Sequence, residues 1–313
     1  MKWRILVSAP YLQPVIEQFR PMFDAYNAEI ILPEVHERLS EEDLLDLVGD
    51  IDGVVAGDDR FTRKVLEKAV PRLRVISKWG TGIDSFDQKA CREFGVVIRN
   101  TTDAFTHPVA DSVLGYVLCF ARKLPWMDQQ MKLGVWDKMP GRALNESTLG
   151  IIGVGRIGKA IALRAKYFGV RILGNDLVEM PEDFLNESGI EMIPKEQLLQ
   201  ESDFVTLNCD LNPTSRHLMG LREFQTMKSS AVVINLARGS LIDESALVTV
   251  LTSGGIAGAA MDVFEEEPLP DNSPLRGMEN VLLAPHNSNS SPKAWARVHE
   301  YTLKNLFEAL EGQ

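Results

Sequence analysis

The sequence predicts an α/β protein of two domains, each built on a parallel sheet covered by helices. Three observations carry that prediction. At 313 residues the chain is longer than one typical domain. Short apolar runs of strand length alternate with helical stretches along most of it. Between Leu149 and Asp176, in LGIIGVGRIGKAIALRAKYFGVRILGND, a strand, a glycine turn, a helix, a second strand and an acid follow one another.

Taken in order, Ile5–Val7 reads as a first strand, and Gln13 to Phe23 as a helix with Pro14 in its first turn. Ser40 followed by Glu41, Glu42 and Asp43 is a capped helix start, with acids where the helix dipole favours them. Gly53–Ala56 is a short buried strand, Thr62 caps a helix through Ala69, and Leu73–Ser77 is another strand. Lys78-Trp79-Gly80-Thr81-Gly82-Ile83-Asp84 follows. Two glycines flanking Thr81 at a strand end form either a turn whose N–H groups converge on an anion or a plain tight turn. Thr106 to Arg122 is a long amphipathic helix with Val109, Val113, Val117 and Phe120 at helical spacing. Pro125 interrupts it, and a second helical piece runs to Leu133. That length suits a domain-linking or subunit-packing element as well as a core helix.

The glycine run has a chemical logic. Gly153 allows a sharp turn, Gly155 lets backbone N–H groups approach a pyrophosphate, and Gly158 lets the helix pack close to the strand. Arg156 and Ile157 lie in the helix N-terminus, whose orphan donors and positive dipole end suit phosphates. Asp176, at the tip of the second strand, can accept hydrogen bonds from the adenosine ribose. Its carboxylate repels a 2′-phosphate, Glu179 adds a second negative charge, and no Arg or Lys follows within Leu177–Met180. The expected cofactor is therefore NAD rather than NADP.

Beyond Asp176, Asp203–Leu207, Ala231–Ile234, Ile256–Ala260 and Val281–Leu283 read as strands, with helices near Glu196, Leu221 and Glu244. Consecutive apolar strands with helical crossovers mean a parallel sheet covered on both faces. The final helix, Pro292 to Leu310, carries apolar residues at helical spacing and must pack on something. A net charge of −11 without a basic cluster argues against nucleic acid and anionic membranes. No apolar run is long enough to span a bilayer, and Pro10 cuts short any signal-peptide core. Cys91, Cys119 and Cys209 have no metal or redox spacing and point to a reducing compartment, so a cytoplasmic location is expected.

Three further signatures follow in order. They are Asn235-Leu236-Ala237-Arg238-Gly239, then Gly258-Ala259-Ala260-Met261-Asp262-Val263-Phe264 leading to Glu267-Pro268, then Ala284-Pro285-His286. With the Gly80-Thr81-Gly82 turn and the glycine fingerprint, the chain resembles the D-isomer-specific 2-hydroxyacid dehydrogenases, which include phosphoglycerate dehydrogenases. The resemblance covers nearly the whole chain. It implies a Rossmann-type domain over residues 100–287, inserted into a smaller flavodoxin-like α/β substrate-binding domain made of residues 1–99 and 288–313, with a cleft between them. It also implies a homodimer, with the Thr106 helix forming much of the interface.

Reducing a 2-oxo acid to a 2-hydroxy acid requires a hydride, a proton for the carbonyl oxygen and an anchor for the carboxylate. In this resemblance His286 is the acid/base, since histidine titrates nearest working pH, and Glu267 is the carboxylate that orients it and favours its charged form. Arg238 offers a fork of donors for the carboxylate and a fixed charge that polarises the carbonyl. Backbone N–H groups of Gly80, Thr81 and Gly82 would hold the other side of the carboxylate. Asp262 would lie near the nicotinamide carboxamide, and Cys209, Leu236 and Ala237 would line the cofactor. Lys78 and Arg60 could face a second anionic group such as a phosphate, or be ordinary surface charges. His36, His107, His217 and His299 match no motif and read as surface or satisfied structural residues.

The chain departs from the family pattern in two places. Asn287-Ser288-Asn289-Ser290-Ser291 replaces small apolar and glycine residues after His286, and Asn208-Cys209-Asp210 stands where a histidine is common. Both bear on substrate identity, for which phosphoglycerate, hydroxypyruvate and glyoxylate are the expected range. The rival readings are a phosphite- or formate-type dehydrogenase and a corepressor-like protein that binds NAD(H) without catalysis.

Overall fold

A computed structural model describes residues 2–312. The chain divides into two compact units. One comprises the residues up to Phe105 together with those from Ser291 onward, and the other runs from Thr106 to Ser290.

The first unit holds β1 (Trp3–Val7), β2 (Ala28–Ile31), β3 (Gly53–Ala56), β4 (Val75–Lys78) and β5 (Val97–Asn100). All neighbours are parallel, in the order β2-β1-β3-β4-β5. Alternation along β1 sends Ile5 and Val7 to one face and Leu6 to the other, so each face has its own apolar cluster. The final helix, Pro292–Glu311, covers the first face with Val298, Leu303, Leu306, Phe307 and Leu310. A side chain at position 53 would meet Leu306 Cδ1 at 2.9 Å, so Gly53 is what lets this helix lie close to the central strand. Ser77 Oγ donates to Thr302 O at 2.7 Å across the same contact. The partner that an amphipathic C-terminal helix demands is thus the N-terminal sheet.

The second unit holds β6 (Thr148–Ile152), β7 (Arg171–Asn175), β8 (Glu191–Met192), β9 (Phe204–Leu207), β10 (Val232–Asn235), β11 (Gly258–Met261) and β12 (Val281–Leu283). The order β12-β11-β10-β9-β6-β7-β8, with every pair parallel, is doubly wound and Rossmann-like. Chain direction across the sheet reverses between β6 and β9, where such sheets bind ligands. The helix Thr106–Arg122 packs against the helix Arg156–Ala165 that follows the glycine turn, burying Val109, Val113, Val117 and Phe120.

Several elements differ from the sequence reading. The single helix expected over Gln13–Phe23 is a 3-10 stretch, Gln13–Phe19, followed by an α-helix, Arg20–Ala25. Pro21 in the first turn of that second helix removes the N–H that would have continued the first. Lys78 is the last residue of β4 rather than part of the following loop. The helix break attributed to Pro125 falls at Lys123, in left-handed conformation (φ 57°), and the proline opens the next helix, Leu124–Lys132. Strands β2, β5 and β8 lie at sheet edges, where Glu29, Arg99 and Glu191 interrupt the apolar runs by which the other strands announce themselves. The two units meet in sequence at Phe105–Thr106 and Ser290–Ser291, not at residues 100 and 288.

Candidate active site

In the second unit, the carboxyl ends of β6, β7, β9, β10, β11 and β12 carry the residues singled out in the sequence. The glycine turn leaves β6 with Gly153 at φ 89°, where a Cβ would lie 2.7 Å from the carbonyl carbon of Asn208. A Cβ on Gly158 would stand 2.1 Å from Gly153 O, so helix and turn touch backbone to backbone. Gly155, by contrast, faces open space, and as N-cap of the helix Arg156–Ala165 it supplies no side-chain cap to the first amides. Arg156 is exposed and Ile157 half-buried at that helix start. Asp176 immediately follows β7; its carboxylate accepts Val154 N at 2.6 Å and Val178 N at 2.9 Å. An open glycine cradle, uncapped helix amides and a carboxylate at the tip of the neighbouring strand form a set that fits a dinucleotide. Cys209 abuts this turn; burial, and then the charge of Asp176, push its thiol up to about 11, so it packs as a neutral group.

Beyond β10, the buried Asn235 braces the loop Leu236–Gly239: its Nδ2 donates to Arg238 O at 2.8 Å, and its Oδ1 accepts Ala237 N at 3.2 Å. Leu236 is buried and Arg238 Nη1 donates to Ala237 O at 2.8 Å. A Cβ at Gly239 would fall 1.9 Å from the carbonyl of Phe264, so the loops after β10 and β11 are in direct backbone contact.

The loop after β11 turns on two carboxylates. Glu267 Oε1 accepts Phe264 N at 2.9 Å, and its Oε2 lies 3.0 Å from His286 Nδ1. Glu244 accepts Glu265 N at 2.5 Å; burial raises the Glu244 carboxyl above the usual range, reinforced by repulsion from Glu265, Glu267 and Glu266. His286 itself sits at φ 50°, a left-handed conformation uncommon for a side chain of this size. Asp262 supports it from below the strand ends: its carbonyl accepts His286 N at 2.7 Å, and its carboxylate accepts Asn287 N at 2.7 Å and Ser288 N at 2.8 Å. The Asp262 carboxylate thus ties down the histidine's own loop.

In the first unit, Gly80 (φ 118°), Thr81 and Gly82 form a turn stitched to the end of β5. Gly80 O accepts Thr101 N at 2.8 Å, Thr81 Oγ1 donates to Thr101 O at 3.0 Å, and Asn100 Nδ2 donates to Thr81 O at 2.6 Å. Lys78 is buried and ion-paired with Asp58, while Arg60 is exposed.

The remaining histidines have their own partners. His36 lies near Glu34, His107 meets Arg164, His217 pairs with Glu265 at 2.5 Å, and buried His299 accepts Trp79 Nε1 at 2.9 Å. The sequence motifs gave no role to Asn235 or Glu244. Both had a local signal, an Asn ending an apolar strand and an acid in the first turn of the helix Glu244–Thr252.

Among the described residues, no helix is long and apolar enough to cross a membrane, and no cluster of three or more His, Cys, Asp or Glu could hold a metal ion.

Residues 114–288 match the family model for the NAD binding domain of D-isomer specific 2-hydroxyacid dehydrogenases. A glyoxylate reductase of Korarchaeum cryptofilum is 37% identical over 88% of this chain and 84% of its own. A D-3-phosphoglycerate dehydrogenase of Methanocaldococcus jannaschii is 38% identical over 90% of this chain but 54% of its own, so the chain spans about half that relative's length. The crystal structure of a Thermus thermophilus protein superposes with a TM-score of 0.83 at 30% identity, covering 99% of this chain and 97% of that one.

Proposed function

This chain belongs to the D-isomer-specific 2-hydroxyacid dehydrogenase family, an NAD-binding oxidoreductase family of 2-hydroxy and 2-oxo acids, and we propose that it reduces a small 2-oxo acid to the D-2-hydroxy acid with NADH. The observation that carries this reading is the contact of His286 Nδ1 with Glu267 Oε2, held beside the Arg238 loop at the carboxyl edge of a doubly wound sheet.

The turn Gly153–Gly158 and Asp176 would hold NAD(H), which when bound supplies the hydride. The Asp176 carboxylate disfavours a 2′-phosphate, hence NADH over NADPH. With Nδ1 committed to Glu267, His286 transfers the proton at Nε2 to the carbonyl oxygen, and Glu267 stabilises the imidazolium that precedes transfer. Arg238 polarises the carbonyl and anchors the carboxylate, the share of the charge that a neutral donor could not carry. The Gly80–Gly82 turn keeps the carboxylate-binding role that the family resemblance implies for its N–H groups. Glyoxylate and hydroxypyruvate head the substrate range, the first because a relative of 37% identity is named for it.

A homodimer is part of the proposal. The apolar residues of Thr106–Arg122 are buried within their own unit, whereas Leu133 (70% exposed) and Trp136 (86%) after the next helix present apolar surface. Light scattering giving the mass of a single chain would remove the dimer from this reading.

The experiment is a panel of 2-oxo acids followed by NADH absorbance. Turnover of at least one, faster with NADH than NADPH, is expected. If the protein binds NADH but reduces none of them, it is a binding protein and the catalytic reading fails.

A further inference from the structure

At the carboxyl edge of the five-stranded sheet, three neighbouring strands end on polar or charged groups to which the reaction assigns no role. Ser8 follows β1, Asp58 and Asp59 follow β3, and Lys78 closes β4. Lys78 is a buried cation, with 5% of its side chain exposed. Lysine is rarely buried to this degree unless its charge is met. Here its Nζ lies 3.1 Å from Asp58 Oδ1 and donates to Trp79 O at 3.2 Å. Asp59, fully buried, accepts Ser8 Oγ at 2.6 Å, Leu39 N at 2.8 Å and Gly57 N at 2.9 Å. Burial raises the Asp59 carboxyl above the usual range, opposed by these hydrogen bonds and by the Lys78 charge, so the contact that meets the ammonium is Asp58.

The location gives this pairing a consequence. A Cβ on Gly80 would stand 3.9 Å from Lys78 Nζ, so the ammonium lies beside the Gly80–Thr81–Gly82 turn. An ammonium next to an anion-binding turn would, alone, recruit further negative charge. The Asp58 carboxylate, half-exposed on the solvent side of the pair, cancels that charge. Resting on the 2-oxo acid reading above, we propose that the Asp58–Lys78 pair restricts the substrate to 2-oxo acids whose single anionic group is the carboxylate, with Asp58 the specificity-determining residue that turns away a second anion such as a phosphate ester. The selection works by repulsion: the site loses nothing toward a neutral hydrogen or hydroxymethyl end and disfavours a dianionic one.

The test compares kcat/KM for glyoxylate, hydroxypyruvate and 3-phosphohydroxypyruvate in the wild type, Asp58→Asn and Asp58→Ala, with thermal melting of each. The wild type should favour hydroxypyruvate over its phosphate ester by about 10² or more, as charge juxtaposition at this range allows. Both variants should shift that ratio toward the ester by about tenfold, mainly through KM, and the shift should shrink in high salt. Use of the ester as efficiently as hydroxypyruvate by the wild type overturns the proposal while leaving the 2-oxo acid reading intact. So does an unmoved ratio in variants that melt like the wild type. If the variants melt early, the wild-type ratio alone decides. Failure of the wild type to reduce any of the three acids overturns the 2-oxo acid reading, and this inference with it.

Discussion

His286 and His299 are both shielded imidazoles whose Nδ1 meets one neighbour, and they are opposites chemically. In the second unit, His286 Nδ1 faces the Glu267 carboxylate at 3.0 Å, an acceptor that favours a proton on the ring. In the first unit, His299 Nδ1 faces the indole N–H of Trp79 at 2.9 Å, a donor that needs the ring nitrogen bare. Burial among Trp79 and Phe19 lowers the His299 pKa to about 4. The backbone repeats the contrast: His299 lies inside a regular helix, and His286 sits at positive φ in a loop braced by Asp262. The polarity of its partner decides here whether an imidazole is set up to carry a proton at Nδ1 or to leave that nitrogen bare.

The comparison can be broken at either end. The largest effect is expected at the reactive end: His286→Ala should lower kcat by about 10²–10⁴ with NADH binding, read by fluorescence titration, nearly unchanged. A variant as fast as wild type would put the proton elsewhere. The next is at the packing end. Because the folded pKa of His299 lies near 4 and the unfolded value near 6.5, the unfolded chain binds the extra proton between them. The stability associated with neutral His299 is therefore complete above pH 6.5, drains as pH falls toward 4, and levels off below, a loss of about 3 kcal/mol in all. Urea titrations at stepped pH on wild type and His299→Gln should diverge across that window; parallel curves would mean the ring is charged in the fold. The smallest effect sharpens the first. Glu267→Gln keeps an oxygen near Nδ1 but removes the charge, so kcat should fall by about tenfold and the alkaline limb of the reduction profile should move to lower pH. A limb that stays in place would leave Glu267 an orienting role only.

How much of this could be read without coordinates depended on whether the requirement was local. The glycine turn was legible because Gly153 and Gly158 meet backbone where no side chain fits, a constraint on the residue itself. Central strands such as Gly53–Ala56 were legible because burial on both faces leaves an unbroken apolar run. The edge strands β2 and β5 were not, since Glu29 and Arg99 break the apolar run there. The motifs nominated Glu267 and His286, and their contact followed from neighbouring strand ends. Side-chain partners were the part hidden from the sequence. No motif announces that Asp262 accepts the amides of Asn287 and Ser288. Lys78, read either as facing a second anion or as a surface charge, is buried and met by Asp58, which lies on another strand end and is invisible to any local pattern. The apolar face of the Thr106 helix packs within its own unit, and the exposed apolar residues beyond it, Leu133 and Trp136, follow no periodic pattern that would mark them.

The clasp between Gly239 and the carbonyl of Phe264 bears on any attempt to redesign this enzyme. Segments bearing the guanidinium and the carboxylate are matched as a pair, so a graft from a homologue at one of them should import its counterpart or leave both alone.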